Sequence, residues 1–360
     1  MLERFKFYLK RLSILLVIIA LIGAMEGCFG SSTQYIEIRT WHDLDSIRDN
    51  LSGDYILMND LDSTTDGYDE LASPTAWDGK GWHPIGGPGQ EETNPPFTGT
   101  FNGQRYKISD LFIDLPATGY VGLFSIVGEG GRVENVGVVN ADMTSTAHIG
   151  ALVGSNRGTV SGSYSTGSIS GDQYLGGLVG SNTGTVSNSY STVTVAGNSW
   201  VSGLVGQNDG TVSNSYATSH ITGASSTGGL VAGNTGTVSN SYATSNVTGN
   251  SGAGGLIAVN SGTVSNSYST GSVSGSEYVG GLVGYSDQGT VSGSFWDTEN
   301  SGQSTSDGGT GKTTTDMKNI VTFSGAGWNI VAVADLGTRN LGYIWNIVTG
   351  ATYPFFSLQS

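Results

Sequence analysis

The stretch Gly176-Gly177-Leu178-Val179-Gly180-Ser181-Asn182-Thr183-Gly184-Thr185-Val186-Ser187-Asn188-Ser189-Tyr190-Ser191 decides the fold. Around Val186 apolar and small polar residues alternate with a period of two, the mark of a strand with two faces. Gly and Asn-containing punctuation separates apolar runs too short for helices. The stretch then returns every 26 residues. Leu152, Leu178, Leu204, Leu230, Leu256 and Leu282 form one column, and Val160, Val186, Val212, Val238, Val264 and Val291 a second. Ile169, Val195, Ile221, Val247 and Val273 form another. One unit cannot bury its own Leu and Val. Stacked units can, because each strand pairs with its equivalent in the next coil at about 4.8 Å. The prediction is an all-β fold: a single-stranded right-handed parallel β-helix (solenoid) of about 26-residue coils. The hand follows from the crossover rule for parallel strands.

Stacking puts like on like. With unbroken alternation Val186, Asn188 and Tyr190 share the inner face. Asn188, Asn214, Asn240 and Asn266 are then expected to form a buried amide ladder, because a buried amide needs both donor and acceptor satisfied. Tyr164, Tyr190, Tyr216, Tyr242 and Tyr268 are expected to stack as a core aromatic column. Asn156, Asn182, Asn208, Asn234 and Asn260 are expected at a corner, where Asn tolerates left-handed backbone.

The G-L-V-G cores (177–180, 203–206, 281–284) resemble the GLUG motif repeats of bacterial and archaeal surface proteins. Asp54–Asp62, Phe97–Gly103, Ser294–Glu299 and Thr352–Phe355 extend the resemblance over nearly all of the mature chain, and Ala232 and Ala258 depart from it at the second Gly. The resemblance implies a pectate-lyase-like β-helix on an exported protein and brings no agreed activity. Such repeats also occur beside the catalytic domain of IgA-cleaving metallopeptidases and in adhesin-like proteins.

Working outward, residues 1–28 read as an export signal. Arg4, Lys6, Lys10 and Arg11 precede an apolar run from Leu12 to Met25, shorter than the about 20 residues of a membrane span. Cys28, the only cysteine, follows it and resembles the lipidated Cys of a lipoprotein signal. Ordinary cleavage and a retained signal anchor remain open, and each exports the chain to the cell surface. Residues 33–146 read as an acidic N-terminal cap with irregular opening coils. There Thr40 N-caps a short helix whose Trp41, Leu44, Ile47 and Leu51 close the first coil, and Asp62 to Gln90 forms a long loop. Residues 147–296 are the GLUG repeat solenoid, and 297–360 a C-terminal loop and cap, with Ser301 to Thr315 as surface loop.

The formal charge of −15 gathers in the head. Between Ala147 and Ser292 stand only Asp172, Asp209, Glu277 and Asp287 against Arg157, so nucleic acid is excluded as a partner. Ser306–Thr313 imitates a phosphate loop, but no apolar strand precedes it and no long helix follows, so nucleotide is excluded as well. His42, His83, His148 and His220 lack the spacing of a zinc hydrolase. Asp60, Asp62, Asp66, Asp69 and Glu70 offer oxygen ligands of the kind Ca²⁺ takes, but the EF-hand pattern fails at Ser73 and a solvated acidic loop is preferred. No other cofactor is expected. Asp172 and Glu277 lie four coils apart, roughly 19 Å, too far to share one glycosidic bond. The reading is a non-enzymatic cell-surface solenoid, adhesin-like or an envelope component, whose partners are surface glycans or proteins. A carbohydrate-active β-helix enzyme (polysaccharide lyase or hydrolase) and a scaffold for a separately encoded partner are the alternatives.

Overall fold

The computed structural model describes residues 35–87 and 95–358, and the coiled unit begins at Ile36. Residues 1–28, expected above to be an export signal ending in Cys28, lie outside the described residues. Three parallel sheets run along the stack, two of them taking one strand from each coil and the third up to three. A ten-stranded sheet runs from Ile36–Ile38 through Thr159–Ser161, Thr185–Ser187 and Thr211–Ser213 to Thr290–Ser292. A seven-stranded sheet runs from Phe124–Val127 to Val283–Ser286, and a sixteen-stranded sheet closes the coil. Register is the repeat itself: Val160 pairs with Val186, Val186 with Val212, and Tyr190 with Tyr216. The Leu, Val and Ile columns fill the interior as one continuous core.

The two Asn columns have exchanged the places expected of them. Asn188, Asn214, Asn240 and Asn266 do not point inward; they hold left-handed backbone, with φ between +45° and +51°. One left-handed residue turns the corner and restarts the alternation, so Ser189 faces inward and Tyr190 outward. The inward amides belong to Asn156, Asn182, Asn208, Asn234 and Asn260, all at most 1% exposed. Each Nδ2 donates to the Oδ1 of the next rung at 2.8 Å, from Asn156 through to Asn260. A second polar ladder follows from the corner. The N–H of Ser189 donates to Ser215 Oγ at 3.2 Å, and that hydroxyl donates to the Ser213 carbonyl at 2.7 Å. The pattern repeats from Ser163 to Ser294 and satisfies buried backbone groups that the corner takes out of the sheet.

At the amino end Thr40 Oγ1 accepts from the Asp43 N–H while Asp43 Oδ2 accepts from the Thr40 N–H, a capping box opening helix Trp41–Asp45. Trp41, Leu44 and Ile47 are buried against the first coil. The Asp62–Gln90 segment, expected as a long loop, carries a turn of helix at Tyr68–Leu71 and places Ala72, Trp82 and Ile85 in the core. Arg48 fastens it. Its guanidinium lies over the Trp82 ring and donates to Asp45 and to the carbonyls of His83 and Pro84.

At the carboxyl end Ser301–Thr315, expected as a surface loop, closes the last coil. Thr310–Lys312 pairs in parallel with Phe295–Asp297. Ser306 Oγ accepts from the Leu282 and Val283 N–H groups, and Asp307 Oδ2 from the Ser286 N–H. The phosphate-loop imitation thus spends its polar atoms on strand edges. Two short helices and a small sheet of Ile330–Ala332, Trp345–Ile347 and Phe355–Phe356 follow. They form a second apolar cluster with Tyr242, Tyr268 and Phe295, on the outside of the coil. Asp297, fully buried, joins strap to solenoid. It accepts from the Glu299 and Asn300 N–H groups, from Thr314 Oγ1, and from the Tyr353 hydroxyl at 2.6 Å.

Candidate functional site

The solenoid consumes its inner faces in packing, so the side chains open to solvent stand in its outer columns. Two of these are aromatic. The tyrosines Tyr164, Tyr190, Tyr216, Tyr242 and Tyr268 stack with centroids 4.8 to 5.0 Å apart and planes within 8° of parallel. They do stack, but outside the coil rather than in its core, because the Asn corner reverses their side. The strap covers the last of them. Tyr268, 1% exposed, donates to the Pro354 carbonyl, and its burial with Tyr242 and Tyr353 nearby raises its pKa well above the phenol range. Tyr164 and Tyr190 stay half-buried, with burial raising their pKa values.

The second aromatic column was not legible from the repeat unit. Tyr120, His148, Tyr174 and Trp200 stack in succession at 4.5, 4.6 and 6.1 Å. Each holds φ between +50° and +58°, at the corner that leads into the seven-stranded sheet. Flanking registers place Ser226, Gly252 and Tyr278 in the same column, each again with positive φ. The second Gly of G-L-V-G makes room for it: a Cβ on Gly206 would stand 2.7 Å from the Tyr174 carbonyl carbon. His148, clamped between two tyrosines, has its pKa lowered by burial, and its Nδ1 lacks a hydrogen-bond partner among the described residues. A column of Tyr, His, Trp, Ser and Gly hides its common role; the Gly at 252 was the available sign of a left-handed position.

Between these ladders the outer strands present hydroxyls. Thr159, Thr185, Thr211, Thr237, Thr263 and Thr290 stand in one line beside Ser161, Ser187 and their equivalents. The carboxylates proposed for calcium are not gathered. Asp62 accepts from Thr64 and Thr65, whose hydrogen bonds lower its pKa, Asp60 accepts from the Lys107 N–H, and Glu70 lies 3.6 Å from His42. Among the described residues no three His, Cys, Asp or Glu side chains come together as a metal site. Asp172 accepts from Asn198, and Glu277 lies four rungs along the column next to it. The head holds an open cleft of about 480 Å³, where Asp110 and Asp142 face Tyr68, Asn140 and Ser168. Asn140 donates to Asp110 there, and Ser168 to Asp142.

Stacked coils in a 26-residue register define a β-solenoid, and one of those coils carries a recognised motif. The family model described as the GLUG motif matches residues 171–196, one full coil. The chain is 33% identical over 157 residues to "Halomucin" of Haloquadratum walsbyi, covering 42% of this chain and 2% of that protein. It is 32% identical over 143 residues to a "Putative Gly-rich membrane protein" of Evansella cellulosilytica, covering 38% of this chain and 15% of that one. The chain therefore spans a small fraction of the curated relatives it matches. Among solved structures, a "putative immunoglobulin A1 protease" from Bacteroides ovatus superposes with a TM-score of 0.53 at 18% identity, covering 92% of this chain and 94% of the other. That likeness concerns the fold.

Proposed function

We propose that this protein is a non-enzymatic component of the cell surface, an adhesin-like or envelope solenoid that binds glycans or proteins along its outer columns. The observation that carries the reading is the repetition of outward hydroxyl and aromatic columns in register over successive coils. An extended surface of that kind suits many weak contacts in series, which add through effective concentration. The names of the two sequence relatives, a halomucin and a Gly-rich membrane protein, support a surface location. Export through residues 1–28, with a lipid on Cys28 or a retained signal holding the chain to the membrane, belongs to the same proposal.

The test is pull-down of partners from the native envelope by the purified chain, with a parallel incubation on a panel of polysaccharides. Saturable capture without turnover is the expected result. The open cleft in the head favours one second reading, a carbohydrate-active enzyme. Turnover abolished by Asp110→Asn or Asp142→Asn would establish that reading instead.

A further inference from the structure

The three parallel sheets do not finish alike at the carboxyl end of the stack. The last strand of the seven-stranded sheet, Val283–Ser286, is covered by the Ser306 and Asp307 side chains and by the Asp307 N–H, which donates to the Val283 carbonyl at 3.0 Å. The sixteen-stranded sheet finishes under Thr310–Lys312, paired with Phe295–Asp297. Between these two covers the chain spends only Gly308 and Gly309, where the coil before spends residues 284–294. The shortcut omits the strand that each repeat coil gives to the ten-stranded sheet, so that sheet stops at Thr290–Ser292. Its edge is open. The Thr290 N–H donates to the Gly262 carbonyl at 2.8 Å, and the Ser292 carbonyl accepts from the Asn266 N–H at 3.2 Å. Alternation along a parallel strand turns the Val291 N–H and C=O to the opposite side, where no strand stands among the described residues. The Gly293 N–H has no acceptor among the described residues, and the Gly289 carbonyl has a long contact from Ser286 Oγ at 3.4 Å. Thr290 and Ser292 are exposed and Val291 half-buried, whereas Val160, Val186, Val212, Val238 and Val264 in the same column are fully buried.

We propose that this edge docks an extended segment of another polypeptide, which adds in parallel as the next strand of the sheet. In the register of the preceding coils, the segment gives two N–H groups to the Gly289 and Val291 carbonyls and accepts the Val291 and Gly293 N–H groups on its own carbonyls. All four groups of the edge are then paired. The central side chain of the segment turns inward over Val291. Gly308 already crowds that place, since a Cβ on it would stand 2.7 Å from Val291 Cγ2, so the place admits only a small apolar side chain. A second copy of this chain does not fit. In each copy residues 306–312 cover the other two sheets at the level of the missing strand, which keeps whole coils from approaching to the about 4.8 Å that pairing needs. Charge narrows the segment further. Asp287, exposed, and Asp307, bound to the Ser286 N–H, stand at the start of the edge, and residues 158–292 contain no Lys or Arg. A basic residue ahead of the paired stretch is therefore favoured. The docking edge lies at the end of the stack rather than on the outer columns, and its occupation is independent of the function proposed above.

The test titrates the isotope-labelled full chain with an end-blocked peptide, Lys-Gly-Thr-Ala-Ser-Asn-Ser, patterned on the repeat unit. Binding is expected to slow hydrogen exchange at the Val291 amide by about tenfold or more and to leave Val264 unchanged. In the docked register the Thr amide of the peptide faces the Gly289 carbonyl and the Ala amide faces away. N-methylation at Thr should therefore weaken binding by about tenfold or more, while N-methylation at Ala keeps it within about twofold. Phe in place of the Ala, or Glu in place of the Lys, should each weaken binding at low salt. The inference is overturned by no binding up to millimolar peptide, by a Val291 amide already protected in the free chain, by N-methylation at Ala proving as damaging as at Thr, or by undiminished binding of the Phe or Glu peptide.

Discussion

Replacing Asn208 by Ala tests the buried amide ladder at its centre. Asn208 Oδ1 accepts from Asn182 Nδ2 at 2.8 Å, and its own Nδ2 donates to Asn234 Oδ1 at 2.8 Å and at longer range to the Gly210 and Thr237 carbonyls. The substitution leaves Asn234 Oδ1 without its ladder donor and Asn182 Nδ2 with only long bonds to Gly184 and Thr211. Each buried polar group left unsatisfied costs about 1–3 kcal/mol, so the two together cost about 2–6 kcal/mol. Asn260→Ala, at the end of the ladder, strips one partner and should cost about 1–3 kcal/mol. The corner column provides the contrast. Asn214→Ala places a Cβ-bearing residue with no compensating side chain at φ +49° and should cost about 1–2 kcal/mol, while Asn214→Gly should be close to neutral. Urea unfolding followed by circular dichroism gives all four values from shifts in the midpoint. A loss below about 1 kcal/mol for Asn208→Ala, or Asn214→Gly as damaging as Asn208→Ala, would refute the assignment of inner and outer columns.

Further outcomes follow from the ends. His83 has its pKa lowered to about 4 from 6.5, first by burial and then by the Arg48 charge. The unfolded chain therefore binds the proton more readily, so stability present above pH 6.5 is lost as pH falls toward 4. After allowance for solvent screening at this partly exposed ring the loss is about 1–2 kcal/mol, and His83→Gln should flatten that part of a stability–pH curve. Tyr353→Phe removes a 2.6 Å donor from buried Asp297 and should destabilise the strap by about 1–3 kcal/mol, seen as faster proteolysis after Asp297 with the coils intact. Tyr353 itself titrates above the ordinary phenol range, raised first by burial and then by Asp297, so the clasp should survive to strongly alkaline pH in tyrosine absorbance titrations.

The coil period, the apolar columns and the capping helix were legible because each is a spacing, and spacing survives in a sequence. The side on which a column faces was not, since a single left-handed residue shifts the phase of everything after it. The sign was present all the same. Gly162 and Gly293 occupy the column of Asn188 and hold φ of +58° and +50°, whereas the column of Asn156 contains no Gly between 156 and 260. Gly and Asn sharing a column mark a corner, and Asn alone marks the ladder. The strap was opaque for a different reason: its aromatic residues suit closing strands equally well on the end of a coil or along its side. Among the candidate sites, the carboxylates of the Asp60–Glu70 segment looked like a cluster because they are near in sequence. Folding gives Asp60, Asp62 and Glu70 separate partners.

Pulsed electron–electron distances between spin labels on the outward Thr column put the stacking of the coils to its most direct test. With Cys28 replaced by Ser, label pairs at Thr159 with Thr263 and at Thr159 with Thr290 span four and five coil steps. The distances should centre near 19 and 24 Å, and a third pair at Arg132 with Thr290 near 29 Å, each narrow and rising by about 4.8 Å per coil. Distances that fail to rise with coil number, or broad distributions at every pair, would contradict the stacked register on which the ladders depend.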